Sequence, residues 1–331
     1  MACLLSFIVP LYNTPNYVVR CINSLLQSPL SAEEYEIVVV NDGSTDESRD
    51  VIVRLQEEHP NAPIRLFDQE NRGIGGARNR GMELAQGDYV WFIDADDFVF
   101  SEQINRIVSL LREKNPQILL FEFEHEMAHS EETPPRVPHL SLQDGAYNAL
   151  DFFVHYLDIN YITVWRFVFS RKFLRDNDLR FAEDIFYEDM PFVYQAFVAV
   201  DPLRFVYCSA PVYRYFVHSS SVIRSPEQLR KRLYDRVLSS RLVVGAAQKA
   251  PSQAMAHKIL QQVCNHLISL LNVGANVLSR EEQKALRHFV CQGRLPHLVA
   301  VPPIRRKFLL YLSQNCYPLF ALWAHFFPVS M

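Results

Sequence analysis

The chain has 331 residues, 49% hydrophobic and 21% charged, with a net charge of −4. That composition excludes a disordered chain and describes a globular protein, long enough for one large α/β domain and a smaller appendage. The mild acidity, with no long basic run in the first two-thirds, argues against nucleic acid as the main partner.

The apolar run "LLSFIVP", closed by Pro10, reads as a first buried strand, and it lacks the basic n-region of a signal peptide. No window reaches the roughly 18 consecutive apolar residues of a spanning helix. Asn16 is the expected cap of a helix running through Gln27. "YEIVVVND", Tyr35 to Asp42, is β-branched and reads as a second buried strand. Ser44 or Thr45 is the expected cap of the next helix, which runs to about His59. "IRLFDQ" is a third strand. "NRGIGGARNRGMELAQG" opens glycine-rich and turns helical, with Gly87 as its stop. "YVWFID" is a fourth strand, Ser101 begins another helix, and "QILLFEFE" is a fifth strand. Strands followed by helices at this spacing imply right-handed crossovers and a mostly parallel sheet.

Residues 125 to 144 are polar and proline-rich and read as an exposed loop. "GAYNALDFFVHYLD" has helical periodicity, and "TVWRFVFSRKFL" joins a strand to a short helix. "FAEDIFYEDMPFVYQAFVAV" carries acids into another helix. "LRFVYCSAPVYRYFVHSSSVIRS" reads as a strand, a turn at Pro211, a second strand and a polar loop. After about Pro226 glycine nearly disappears and helical stretches dominate. Cys3, Cys21, Cys208, Cys264, Cys291 and Cys316 show no CxxC spacing, so they read as reduced thiols of a cytosolic protein, not as a zinc site.

In parallel sheets ligands bind beyond the carboxyl ends of the strands. The polar clusters "NDGSTD", "NRGIGGARNRG" and "DADD" follow strands two, three and four, so they share one edge and describe one site. Asp94 and Asp96 flank Ala95, and in an extended segment residues i and i+2 point the same way. Two carboxylates facing one point suit a hard divalent cation that shares its shell with substrate phosphates. Taken alone, the same acids also suit a helix start, where they complement the dipole. Arg72 and Arg78 bracket "GIGGA", in which glycines let the backbone approach a phosphate and arginine supplies planar charged donors. That spacing fits neither the Rossmann nor the P-loop pattern. Glu188 and Asp189 stand before an apolar helix, as a capping pair or as a source of general base.

"FIVPLYN", "EIVVVNDGSTDES", "NRGIGGARNRGMELAQGDYVWFIDADD", "VWRFVFSRKFL", "FYEDMPF" and "YRYFVHSSS" occur in this order. The set resembles the family 2 glycosyltransferases of the GT-A fold that build bacterial polysaccharide, capsule and lipopolysaccharide. The resemblance covers roughly residues 4 to 224. It implies an α/β, Rossmann-like GT-A fold whose mostly parallel sheet is flanked by helices. The catalytic domain would span 1–225, with nucleotide-sugar binding in 1–100 and the acceptor side in 145–225, followed by a helical region over 226–331. It also implies a UDP-sugar donor, inversion at the anomeric carbon, and a glycan or lipid-linked glycan acceptor.

By this similarity Pro10 and Tyr12 line the nucleobase pocket, and Asp42 accepts a hydrogen bond from the base. The chemistry agrees, since uracil has a ring N–H and a tyrosine can stack on it. Arg78, with Asn71 and Arg72 beside it, is placed near the diphosphate. Asp94 and Asp96 match the family's DxD, with Asp96 on Mn²⁺ or Mg²⁺ and Asp94 nearer the sugar and ribose; Asp97 is the following cap. Asp189 matches the catalytic base, and Glu188 orients it or meets acceptor hydroxyls. Glu183 and Asp184 match less well and are left as loop acids. His218 in "YRYFVHSSS" completes the metal shell. Trp165 lines the acceptor side, followed by Arg166 and Phe167 where similar enzymes often carry Lys or Asn.

The tail joins Arg305, Arg306 and Lys307 to Phe308, Leu309, Trp323, Phe326 and Phe327. The expected protein is cytoplasmic, with this tail meeting anionic lipid at the inner face of the membrane. The competing reading is a bundle packed on the catalytic domain or on a second subunit of a homodimer. Liposome flotation of the chain cut before Pro302 separates the two, and unchanged binding removes the membrane reading. A sugar nucleotidyltransferase would need a basic, glycine-rich loop soon after the first strand, which "VPLYNTPNYVVR" lacks. A non-catalytic sugar-nucleotide or glycan-binding protein is disfavoured by the intact DxD and ED pairs, and donor hydrolysis discriminates it.

Overall fold

A computed structural model describes residues 3–128, 140–157, 162–218 and 228–284. The basic-aromatic tail from Pro302 lies outside the described residues. The chain divides into two compact units, Met1–Asp184 with Ala199–Arg224, and Ile185–Val198 with Ser225–Met331.

Among the described residues the first unit is built on one nine-stranded sheet. Its strands are β1 (Leu5–Leu11), β2 (Tyr35–Asp42), β3 (Ile64–Gln69), β4 (Tyr89–Phe92), β5 (Phe98–Val99), β6 (Ile118–Met127), β7 (Gly145–Tyr147), β8 (Phe167–Ser170) and β9 (Phe205–Val217). The order is β3-β2-β1-β4-β8-β6-β9-β5, with β7 also on β9. Every residue of β1 and β2 is buried, as expected for parallel strands covered on both faces. The parallel expectation holds for β3-β2-β1-β4. Beyond β4 the sheet is mixed: β8 enters antiparallel to both β4 and β6, while β6 and β9 run parallel. Antiparallel neighbours need no crossover helix, so β8 can arrive from a long connection.

The helices of this unit are α1 (Pro15–Leu26), α2 (Ser48–Glu58), α3 (Gly73–Leu84), α4 (Ser101–Lys114), α5 (Ala149–His155) and α6 (Arg171–Asp176). Several local expectations change. α1 begins at Pro15, ahead of Asn16, because proline is pre-organised for the first helical position and has no N–H to lose. α2 begins at Ser48, with Glu47 before it. Ser44 and Thr45 serve the site edge instead: Asn13 N–H donates to Ser44 Oγ (3.2 Å), and Thr45 N–H donates to Asn13 Oδ1 (2.9 Å). α3 stops at Leu84, short of Gly87. Gly87 answers to packing, since a Cβ there would lie 2.7 Å from Ser6 N. Gly81 does the same inside α3, where a Cβ would lie 2.3 Å from Ile8 Cγ2, so the helix rests directly on β1. The segment from Gly145 first forms β7, and the helix follows at Ala149, capped by Asn148.

There is no turn at Pro211. β9 runs through it, and Cys208 faces Phe121 while Tyr213 faces Phe123. The extra residues form a bulge, where a missing proline N–H costs no ladder bond. In the core, Trp91 packs against Phe7 (5.6 Å) and Phe121 (4.9 Å), and its Nε1–H donates to Trp165 O (2.9 Å).

The second unit carries α7 (Asp189–Ala199), α8 (Leu229–Gln248) and α9 (Gln253–Val277). α7 is buried on nearly every side from Met190 to Phe197, and Tyr194 Oη donates to Gln262 Oε1 of α9 (2.5 Å). Among the described residues no helix is long and apolar enough to cross a membrane. Cys3, Cys21 and Cys208 are free thiols, the last two buried.

Candidate active site

β1, β2 and β4 are adjacent and parallel, so their carboxyl ends open at one edge. Pro10 is buried within β1, and Tyr12 just beyond it is 47% exposed. Asp42 ends β2 and is 2% exposed. Its Oδ1 accepts from Gln69 Nε2 (2.7 Å) and from the Arg72 N–H (2.8 Å), which ties β2 and β3 to the start of α3. Gly43 follows at φ +69°, a left-handed turn in which a Cβ would meet Asn71 N at 3.0 Å.

The Arg72 side chain pairs with Glu183 Oε2 (2.7 Å). Asn79 donates to Glu183 Oε1 (3.1 Å) and to Phe181 O (3.0 Å), and accepts from Phe181 N–H (2.9 Å). Glu183 is therefore a structural partner of the glycine-rich segment, not a loose loop acid. The sequence signal was Asn79, a poor helix former placed in a helix interior.

The acidic loop follows β4. Arg78 is 2% exposed and donates to Asp94 Oδ1 at 2.7 Å, with its guanidinium 5.5 Å from the Phe181 ring centre. The Asp94 N–H donates to Tyr213 Oη (3.1 Å), and Tyr213 Oη–H donates to Asp97 Oδ2 (2.7 Å). Asp97 Oδ1 accepts the Phe216 N–H (2.8 Å). Asp97 is thus no helix cap: α4 starts only at Ser101, and Asp97 is buried as the anchor of the loop on β9. Burial, with the Asp96 and Asp94 charges added, raises its pKa well above the usual carboxylate range. Burial, then the Asp97 charge, likewise raises Tyr213, which stays a donor. Trp165 is buried and stacks on Tyr213 (4.4 Å, 13°), so it supports this anchor.

Asp96 Oδ2 lies 2.9 Å from His218 Nε2. The imidazole is buried, with Tyr17 of α1 at 4.4 Å and Phe216 at 5.4 Å between ring centres. Ligand atoms about 2.1 Å from one ion, at right angles, stand roughly 3 Å apart, so this pair fits two neighbouring corners of an octahedral shell. Among the described residues no three His, Cys, Asp or Glu side chains gather as a metal site. Two protein ligands, with the remainder from phosphate and water, is a usual arrangement for Mg²⁺ beside a diphosphate. The residues present fit such an ion.

Glu188 and Asp189 belong to the second unit, where Asp189 is the first residue of α7 and Glu188 is buried just before it. Tyr187 precedes them at φ +64°. A left-handed conformation costs an ordinary L-residue about 1–2 kcal/mol. Three contacts from α8 hold it. The Phe186 N–H donates to Asp235 Oδ2 (3.0 Å), Ser239 Oγ donates to Tyr187 O (2.8 Å), and the Arg236 guanidinium lies 4.8 Å from the Tyr187 ring centre. The structure thus gathers Pro10, Tyr12, Asp42, Arg72, Arg78, Asp94, Asp96 and His218 in the first unit, and Glu188 with Asp189 in the second.

A mixed sheet whose parallel half ends in an Asp-x-Asp loop is the architecture of the GT-A fold. The fold matches the crystal structure of Staphylococcus aureus TarS 1–349 in complex with UDP-GlcNAc, with a TM-score of 0.76 over 97% of this chain and 90% of that one, at 20% identity. It also matches the mannosyltransferase PcManGT of Pyrobaculum calidifontis in complex with GDP-Man and Mn²⁺, with a TM-score of 0.55 over 100% and 89% of the chains, at 15% identity. The model of glycosyl transferase family 2 matches residues 6–177, and the chain belongs to that family. It is 31% identical over 232 residues to the uncharacterized glycosyltransferase YibD of Escherichia coli K12, covering 69% of this chain and 66% of YibD. To TarS of S. aureus Mu50, a poly(ribitol-phosphate) β-N-acetylglucosaminyltransferase, it is 26% identical over 232 residues, covering 67% and 38%. The matches span about two-thirds or less of these relatives' lengths. The family match includes the acidic loop and ends before Glu188, Asp189 and His218.

Proposed function

We propose that this enzyme moves a sugar, with inversion, from a UDP-sugar to a hydroxyl of a bacterial surface glycan or its lipid-linked precursor. The observation that carries the reading is the Asp96–His218 pair, 2.9 Å apart, together with buried Arg78 paired to half-buried Asp94 at the end of β4. Tyr12 offers an exposed ring face for the base, and Asp42 keeps Oδ2 for the ring N–H while Oδ1 holds Gln69 and Arg72. Arg78 sets a fixed positive charge beside Asp94, and Arg72 stands at the mouth of the glycine-rich segment. Mn²⁺ or Mg²⁺ held by Asp96 and His218 would supply charge neutralisation for the departing diphosphate. Asp189 takes the acceptor proton as its oxygen attacks the anomeric carbon, and the bond to phosphate breaks with its electron pair on the nucleoside diphosphate. Glu188 orients Asp189. Support for UDP and for a polymer acceptor comes from TarS, and support for a metal from the PcManGT complex. In this reading residues 1–225 form the catalytic domain, and the helices from 226 onward are an appended region.

The test is calorimetric titration of UDP, GDP, dTDP and CDP, with and without Mn²⁺, on wild type and Asp96→Ala. UDP binding that needs Mn²⁺ and fails in the variant is expected. Binding that ignores both removes the metal assignment. Asp189→Asn should keep UDP binding and lose about 10²–10⁴-fold in transfer, the usual worth of a general base. Transfer near the wild-type rate would exclude Asp189 as the base.

A further inference from the structure

We infer that Ser239 and Asp235 of α8 are positioning residues for the base, holding the turn at Phe186–Tyr187 that aims Asp189. The inference rests on Asp189 being that base. Residues 235 and 239 are four apart and share one face of α8. Both are buried, and each spends its side chain on the backbone of consecutive residues, Phe186 N–H (3.0 Å) and Tyr187 O (2.8 Å). Lys231, one turn earlier on the same face, pairs with Asp235 (2.5 Å) and stands 4.9 Å from the Phe186 ring centre. With Arg236, whose guanidinium lies 4.8 Å from the Tyr187 ring centre, four residues of one helix are committed to two residues of a turn.

What the turn achieves is direction. Tyr187 sits at φ +64°, and relaxation to the ordinary negative range would rotate the following chain by more than a hundred degrees. Glu188 and Asp189 are the next two residues, and α7 starts at the second. A general base must stand within about 2.6–3.2 Å of its proton donor, and a displacement of roughly 1 Å costs about 100-fold in rate. The helical region beyond 226 then has a part in the chemistry, acting through the backbone of the base and not through contact with substrate.

The test uses the full chain. Ser239→Ala should lower kcat about 10- to 100-fold, with the donor KM and UDP affinity within about twofold of wild type. Asp235→Ala should do the same, while Asp235→Asn, which keeps an acceptor for the Phe186 N–H, should recover most of the rate. Ser239→Ala added to Asp189→Asn should cause no further loss in single-turnover transfer, because the group it aims is already gone. Wild-type kcat in both alanine variants would overturn the inference, as would an equal loss in the Asp189→Asn background. Failure of the base assignment shows separately, as undiminished transfer by Asp189→Asn alone, and it removes the positioning role with it.

Discussion

Arg166 follows Trp165 at a place where similar enzymes often carry Lys or Asn, and the structure gives it a buried acidic partner. Its side chain is 0% exposed and that of Glu122 is 1% exposed, with 3.0 Å between Nη2 and Oε2. The guanidinium also donates to Phe121 O (3.2 Å) and lies 4.9 Å from the Phe123 ring centre. Tyr207 Oη donates to Glu122 Oε1 (2.7 Å), and burial, then Glu122 beside it, raises the phenol above its ordinary pKa. Arg166→Met removes the cation and leaves the carboxylate inside with Tyr207 and the Leu140 N–H. Removing one partner of a buried pair costs about 3–5 kcal/mol, and those remaining donors place this case near the lower end. At roughly 2–4 °C per kcal/mol for a unit of this size, the melting point falls by about 6–12 °C. Adding Glu122→Gln, which has no charge and can still accept from Tyr207, should return at least half of the loss. Urea unfolding at neutral pH reads the stability, and a transfer assay should show an unchanged donor KM. An Arg166→Met protein within about 1 kcal/mol of wild type, or one with intact stability and a raised acceptor KM, would refute the buried-pair reasoning.

Gly81→Ala places a methyl 2.3 Å from Ile8 Cγ2, so overpacking of about 1–3 kcal/mol should outweigh the roughly 1 kcal/mol gained in helix propensity; an unchanged or raised melting point would count against direct seating of α3 on β1. In the second unit, burial and then the Arg236 charge lower His266 to about 3. The unfolded chain binds that proton near pH 6.5 and the folded one does not, so stability is full above about pH 6.5 and declines on acidification toward 3. At pH 5 the loss reaches up to about 2 kcal/mol. His266→Gln should flatten this acid slope in denaturation at pH 7 and pH 5, and parallel slopes in the two proteins would show that His266 is not the cause.

The parallel half of the sheet and its polar edge were legible because apolar, β-branched runs and the acids that end them lie next to each other in the chain. The errors share a different cause. At α1 the fixed φ of Pro15 outranks a better capping side chain one residue later. Pro211 reads as a turn until a bulge is known to free it from the ladder. β5 has two residues, too few for any periodicity. Asp97 looks like one more acid in "DADD", and its partners Tyr213 and Phe216 are 116 and 119 residues away. Ser239 and Asp235 sit in an ordinary-looking polar helix, and nothing local marks them as partners of residues 186 and 187.

Tyr213, Phe216 and His218 together fix the shape of the acidic loop, and all three come from β9 or the residue just past it. The order of assembly follows. During synthesis β1, β2, β3 and β4 can pair soon after they emerge, since their contacts are near in sequence, whereas the loop after β4 must wait for a strand made much later. A nascent chain that has not yet reached Tyr213 holds nearly every residue proposed to meet the nucleotide sugar, but the bonds that give its acidic loop a shape have not been made.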